Sequence, residues 1–141
     1  MGKLFNRIQK TNSGILVSLL RIVVGLIFFK AGAGKLFGWF GGFGIEGVTK
    51  FFTELGIPYP AFNAYFVGST EFFGGILMIL GLFTRLISIP FCIIMITAIS
   101  TAHKDGDFYY PLMIFMSCLA LFETGAGVLS LDKLCSKNTN Q

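Results

Sequence analysis

The sequence predicts an all-α membrane protein: a polytopic four-helix bundle with a short interfacial amphipathic helix in its first outer loop. Hydrophobic residues make up 54% of the 141 residues and charged residues only 13%. The mean hydropathy is +0.76. Such values are typical of integral membrane proteins, in which each crossing helix needs about 20 apolar residues. We expect a single membrane domain over residues 1–141.

The first span is expected at about residues 15–35. Basic residues precede this apolar run, so the start of the chain also resembles a cleavable signal peptide. Arg21 and Lys30 interrupt the apolar run, however, and this favours a retained helix.

The first outer loop is rich in glycine and aromatic residues, which suit the headgroup region of a membrane. Within it, apolar residues recur at the spacing of one helix face. These residues are Val48, Phe51, Phe52 and Leu55. They predict a short amphipathic helix, which Pro58 and Pro60 should end because proline removes backbone donors.

The remaining spans are expected at about residues 61–83, 86–102 and 110–131. The second carries Glu71 at its centre, on one face with Gly68, Gly75 and Met78. Small residues beside the acid predict close approach of another helix on this face.

The distribution of basic residues predicts that both termini lie in the cytoplasm. Six lysines and arginines flank the spans on the side of the termini, namely Lys3, Arg7, Lys10, Arg85, Lys133 and Lys137. Three lie on the other side, namely Lys35, Lys50 and Lys104.

Three charged residues are predicted at a similar depth in the membrane: Arg21, Glu71 and Glu123. Intramembrane charges are costly unless they are paired, so we expect Arg21 to meet both acids, one of which carries a proton. Such a centre would either accept protons and bind a ligand, or only hold the helices in register.

Other polar residues have simpler interpretations. Lys30 and Lys35 can extend to the membrane surface. His103, the only histidine, ends the third span and can titrate near neutral pH. One histidine without further ligands predicts no metal or haem site. The cysteines stand singly, at Cys92, Cys118 and Cys135, with no CxxC pair.

The order of several short motifs resembles the DoxX family of small four-helix membrane proteins. These motifs are Leu20-Arg21 with Gly25, Phe28, Gly32 and Lys35-Leu36; Phe52 to Pro60; Glu71 to Gly75; Leu80 to Arg85; Ala98 with His103; and Gly125 to Asp132. The resemblance implies a multi-pass protein of a bacterial or archaeal cytoplasmic membrane. It also implies a link to thiosulfate:quinone oxidoreductase or thiol-redox assemblies.

The resemblance assigns polar positions to Arg21, Glu71 and His103, with Lys35 as a further candidate. Glu123 is a candidate from its depth alone. Because paired cysteines are missing from the sequence pattern, we do not expect direct disulfide chemistry.

These observations favour a membrane subunit of an oxidoreductase assembly that is linked to quinone. Arg21, His103 or Lys35 would contact the quinone, and Glu71 would move protons. The alternative is a non-catalytic membrane adaptor that binds partners through small residues such as Gly74, Gly75 and Gly81. A third interpretation is a small-solute transporter, but four spans are few for this function, so the chain would have to form an oligomer. Expected partners are the lipid bilayer and other subunits or copies of the chain, and no nucleic acid.

Overall fold

The computed structural model describes residues 13–102 and 106–138, and every regular element in these ranges is helical. The elements are α1 (Ser13–Phe37), a 3-10 turn (Trp39–Gly41), α2 (Gly44–Glu54), α3 (Pro60–Leu80), α4 (Thr84–Thr101), α5 (Tyr109–Thr124) and α6 (Leu131–Asn138). In the described ranges, three helices are long and apolar enough to cross a membrane, at Gly14–Phe37, Pro60–Leu80 and Thr84–Thr101, and α5 is a shorter apolar helix. The predicted membrane helical bundle is confirmed.

Helices α1 and α3 pack against each other in antiparallel orientation through glycine. A Cβ atom built on Gly32 would lie 2.3 Å from the backbone nitrogen of Phe72, and one on Gly75 would lie 2.5 Å from the nitrogen of Phe29. Backbones this close leave no space for a side chain between them. The face of α3 that the sequence assigned to close packing therefore contacts α1.

The apolar core lies where α4 and α5 complete the bundle. Its buried residues are Val24, Phe28, Met78, Ile87, Phe91, Ile114, Cys118 and Leu121. The rings of Phe28 and Phe91 are stacked with their centroids 3.6 Å apart, which joins α1 to α4.

The predicted amphipathic helix is present as α2, with Val48 buried and Phe52 half-buried. It packs at the end of the bundle where α1 ends and α3 begins, which we call the α2 end. The opposite end, which we call the Arg21 end, contains the α3–α4 turn and residues 125–138.

The fourth span ends earlier than the expected residue 131, because α5 stops at Thr124. Gly125 and Gly127 follow with φ of +81° and +77°, a conformation that glycine adopts and that ends a helix. The loop then docks on α1, where the N–H of Val128 donates to the carbonyl of Gly14 over 3.3 Å.

The turn between α3 and α4 is also placed differently. Helix α3 ends at Leu80, with Gly81 at φ +74°, and α4 begins at Thr84. The N–H of Leu82 donates to the carbonyl of Leu77 over 2.9 Å, which closes the end of α3.

Candidate functional site

Arg21 lies on α1 and is 1% exposed. Its Nε donates to the carbonyl of Ala126 over 2.9 Å, and Nη1 donates to the carbonyl of Ile79 over 2.6 Å. Further hydrogen bonds reach the carbonyls of Met78 and Leu129. The last carbonyls of a helix have no partner within the helix. The guanidinium therefore satisfies carbonyls at the end of α3 and in the loop after α5 together.

The predicted polar centre of Arg21, Glu71 and Glu123 is wrong. Neither acid pairs with the arginine within the described part of the chain, where Asp132 is the carboxylate that interacts with its charge. Glu71 lies seven residues before Met78, or about 10 Å along the helix axis. Glu123 is exposed on α5. The depth argument ignored both the rotation of each helix and the backbone acceptors that an arginine can reach.

The partner of Glu71 is Lys35. The Nζ of Lys35 lies 2.6 Å from Oε2 of Glu71, and their side chains are 25% and 2% exposed. Among the side chains that the structure describes, which end at residue 135, this is the only ion pair. Of the two interpretations of Lys35, extension to the membrane surface does not fit this inward contact, and a role at a ligand site stays a prediction.

The close packing of α1 and α3 brings this ion pair together. Gly32 lies one turn before Lys35, and Gly68 lies one turn before Glu71. A Cβ on Gly68 would lie 3.0 Å from the side chain of Leu36 and 3.4 Å from the Cβ of Lys35. The glycine pattern on both spans is the sequence signal that could have identified the pair.

A cleft of about 810 Å³ opens beside Lys35, between the second half of α1, residues 39–43 and α2. We call it the aromatic cleft. Its aromatic lining residues are Trp39, Phe40, Phe43, Phe51, Phe52 and Tyr110. Its charged lining residues are Lys30, Lys35, Lys50 and Glu54.

The loop that walls the aromatic cleft is held against α1 by glycine. A Cβ on Gly42 would lie 2.3 Å from the Cα of Gly34. The backbone of Phe40 has a φ of 56°, a value that residues other than glycine rarely adopt. Between two glycines of positive φ, Gly38 and Gly41, this turn directs the chain back over the helix.

The aromatic cleft can bind a flat, mostly apolar molecule and offer it hydrogen bonds. A lysine ammonium group has three N–H donors, and Glu71 accepts one of those on Lys35. Lys35 is 25% exposed and lines the cleft, so its other donors are available to a ligand there. Glu71 itself does not line the cleft and acts on it through Lys35.

A second cavity of about 680 Å³ lies at the Arg21 end, with Arg85, Asp132 and Lys133 among its lining residues. Asp132 already accepts the N–H of Phe83 at the start of α4, over 3.2 Å. This cavity adjoins no buried ion pair, so the aromatic cleft is the better candidate site.

The other predicted site features are placed as follows. His103 lies outside the described residues, so its contact with a ligand stays a prediction. Gly74, Gly75 and Gly81 are buried inside the bundle. They do not form the exposed surface that the adaptor hypothesis assigned to them. Among the described residues, no group of three or more histidine, cysteine or acidic side chains is placed to hold a metal ion.

Comparison with known proteins connects the chain to a family. The family model described as DoxX matches residues 16–104. This range contains Arg21, Lys35 and Glu71 but not Glu123. No solved structure matches the chain.

Three relatives cover most of the chain. "Putative oxidoreductase CatD" of Bacillus subtilis (strain 168) is 32% identical over 123 residues, which cover 84% of this chain and 86% of the relative. "Inner membrane protein YphA" of Escherichia coli (strain K12) is 31% identical over 131 residues, covering 84% and 89%. An "Uncharacterized protein" of Haemophilus influenzae is 27% identical over 140 residues, covering 93% and 90%. The predicted resemblance is confirmed, as is the localisation as a multi-pass protein of the inner membrane.

Proposed function

Because this chain belongs to the DoxX family, we propose that it is the membrane subunit of an oxidoreductase assembly and that its aromatic cleft binds quinone. A relative that bears the name of an oxidoreductase supports the first part. The observation that carries the second part is the ammonium group of Lys35, which lines an aromatic cleft and is held by the buried carboxylate of Glu71.

The residues present fit a quinone. Ligand pockets are mostly apolar, have volumes of about 300–1,000 Å³ and place a few polar groups to fix orientation. The aromatic cleft, at about 810 Å³, lies within this range. Lys35 and the hydroxyl of Tyr110 would donate to carbonyl oxygens, and the rings of Trp39 and Phe52 would contact the flat face. A bound quinone supplies two-electron, two-proton redox chemistry.

The side chains of the site have separate roles toward the ligand. Lys35 holds a proton at Nζ beside the ligand, and Glu71 stabilises that charge from the buried side. A proton released at Nζ would be replaced from the open side of the aromatic cleft, because the carboxylate of Glu71 accepts a hydrogen bond from Nζ over 2.6 Å and has no proton to return. Arg21, by contrast, uses all three of its nitrogens on backbone carbonyls, so its proposed contact with quinone is not retained.

This proposal places the rest of the electron path on partner subunits. The sequence matches GxGxxG once, at Gly42, Gly44 and Gly47, but there a 3-10 turn and not a strand leads into α2, so the match is not a dinucleotide-binding fingerprint. The sequence has no P-loop motif. Other protein subunits, or further copies of this chain, would therefore deliver electrons to the ligand of the aromatic cleft or remove them.

The chain carries a built-in reporter for the test, because its single tryptophan, Trp39, lines the aromatic cleft. The protein would be purified in mild detergent and titrated with a short-chain ubiquinone while tryptophan fluorescence is recorded. We expect saturable quenching. Lys35→Met should weaken quinone binding about tenfold or more, which corresponds to about 1.4 kcal/mol.

The matched control is Lys133→Met, since Lys133 lies on α6 and does not line the aromatic cleft. It should bind quinone as the wild type does. Glu71→Gln, which keeps the shape of the side chain but removes its charge, should weaken binding while the protein still assembles. Quenching that does not saturate, or that is equal in Lys35→Met and wild type, would overturn the quinone proposal. Co-purification with a larger enzyme but without quinone would favour the adaptor.

A further inference from the structure

Cys92 and Cys118 lie next to each other inside the bundle, although 25 residues separate them in the sequence. Cys92 is on α4 and Cys118 is on α5, and their thiols are close enough to interact electrostatically. Cys118 is fully buried in the apolar core and Cys92 is half-buried against it. Both are free cysteines, and their separation in the sequence gives no sign that the fold brings them together.

We propose that Cys92 and Cys118 form a dithiol–disulfide couple that a lipid-soluble quinone oxidises. Two S–H bonds break and one Sγ–Sγ bond forms. The two electrons and two protons that leave the sulfur atoms pass to the quinone, which becomes the quinol.

The geometry favours an intramolecular disulfide because both thiols belong to one packed cluster on neighbouring helices, Cys118 in the core and Cys92 against it. Disulfide formation requires the two Cα atoms to lie within about 7 Å and the side chains to point toward each other. Cys92 lies eight residues into α4, and Cys118 lies six residues before the end of α5. Both are thus roughly 10 Å from the Arg21 end, at the same level of two neighbouring helices.

The position of the two thiols inside the bundle also determines which kind of oxidant can reach them. Buried thiols in apolar surroundings react poorly with water-soluble reagents, because the thiolate is disfavoured there. A quinone dissolves in the hydrocarbon layer and can reach Cys92 from the lipid side. Neither cysteine lines the aromatic cleft, so this couple goes beyond the proposed function and does not require quinone to bind beside Lys35.

The experiment uses the full chain with Cys135→Ser, so that the two buried thiols are the only ones left. The reduced protein in mild detergent would be incubated with duroquinone, whose ring is fully methylated and does not readily add thiols. It would then be unfolded in SDS, treated with a maleimide and weighed by mass spectrometry. We expect most of the protein to take up no maleimide and to have lost two hydrogen atoms, and dithiothreitol to restore both thiols.

Two variants make the result specific. With Cys92→Ser added, the remaining Cys118 should stay open to the maleimide after duroquinone. With Lys35→Met added, disulfide formation should be unchanged, which separates this inference from the quinone site in the aromatic cleft. If both thiols of the folded protein still take up maleimide after duroquinone, the proposal is wrong, even where diamide oxidises them.

Discussion

At the scale of the residue, Arg21 shows how one side chain can donate hydrogen bonds to the carbonyls of two separate backbone segments. Its guanidinium satisfies carbonyls at the end of α3 and in the loop after α5. The N–H groups of a guanidinium point in fixed directions, and four of the five are used here. Arg21 is therefore a structural residue that joins the two halves of the chain.

Replacing Arg21 with methionine should destabilise the protein by about 3 kcal/mol or more, because several buried carbonyls lose their donor. The measurement is the midpoint of thermal unfolding in detergent, followed by circular dichroism. Glu123→Gln is the control and should stay within about 0.5 kcal/mol of wild type, since exposed side chains contribute little. Equal loss in both variants would contradict the assignment and restore a pairing between these residues.

The sequence identified Arg21 and Glu71 as buried polar residues, but it did not identify the groups that they contact. Glu123, expected beside them, is exposed. Glu71 was expected to face the protein, and it does. Its partner was missed because distance along a span gives the depth of a residue and not the direction of its side chain. Lys35 was expected at the membrane surface or at a ligand and not beside Glu71, although a lysine is long enough to reach inward across a glycine contact.

At the scale of the element, Gly32 determines how closely α1 approaches α3. A methyl group at this position would meet the backbone of Phe72 at 2.3 Å, and backbone cannot move aside as a flexible side chain can. Because the two helices lie so close together, Lys35 can reach Glu71.

Gly32→Ala should therefore force α1 and α3 apart, lower the unfolding temperature and weaken quinone quenching of Trp39 together. Val23→Ala is the control on the same helix, because the side chain of Val23 is 53% exposed and does not line the aromatic cleft. We expect a small change there. A stable Gly32→Ala protein with normal quenching would show that this contact does not position the site.

Helix positions were predictable from hydropathy, and their ends were less so. The apolar runs identified the membrane helices and the 3.6-residue period identified α2. The end of α5 was missed because Val128, Leu129 and Leu131 continue the apolar run after the helix has stopped. The glycines at 125 and 127 carried the stop signal, and glycine is common inside membrane helices as well.

At the scale of the whole molecule, the predicted orientation places both termini in the cytoplasm. Green fluorescent protein fused after Gln141 should fluoresce, and alkaline phosphatase fused there should be inactive, because each folds on only one side of the membrane. Fusions made after Ala102 should give the reverse result, since they omit α5. Active phosphatase at the C-terminus would show that α5 does not cross, or that the bundle is inverted.

The brevity of α5 has a further effect on the surrounding lipid. Its 16 residues rise about 24 Å, whereas the hydrocarbon layer is about 30 Å thick. Hydrophobic mismatch of this size costs a fraction of a kcal/mol for each ångström, and lipids relieve it by shortening locally. The bilayer should thus be thinner beside α5 and of normal thickness beside α1, which has 25 residues. This uneven layer of surrounding lipid favours bilayers with short acyl chains. The midpoint of thermal unfolding should be highest in such bilayers.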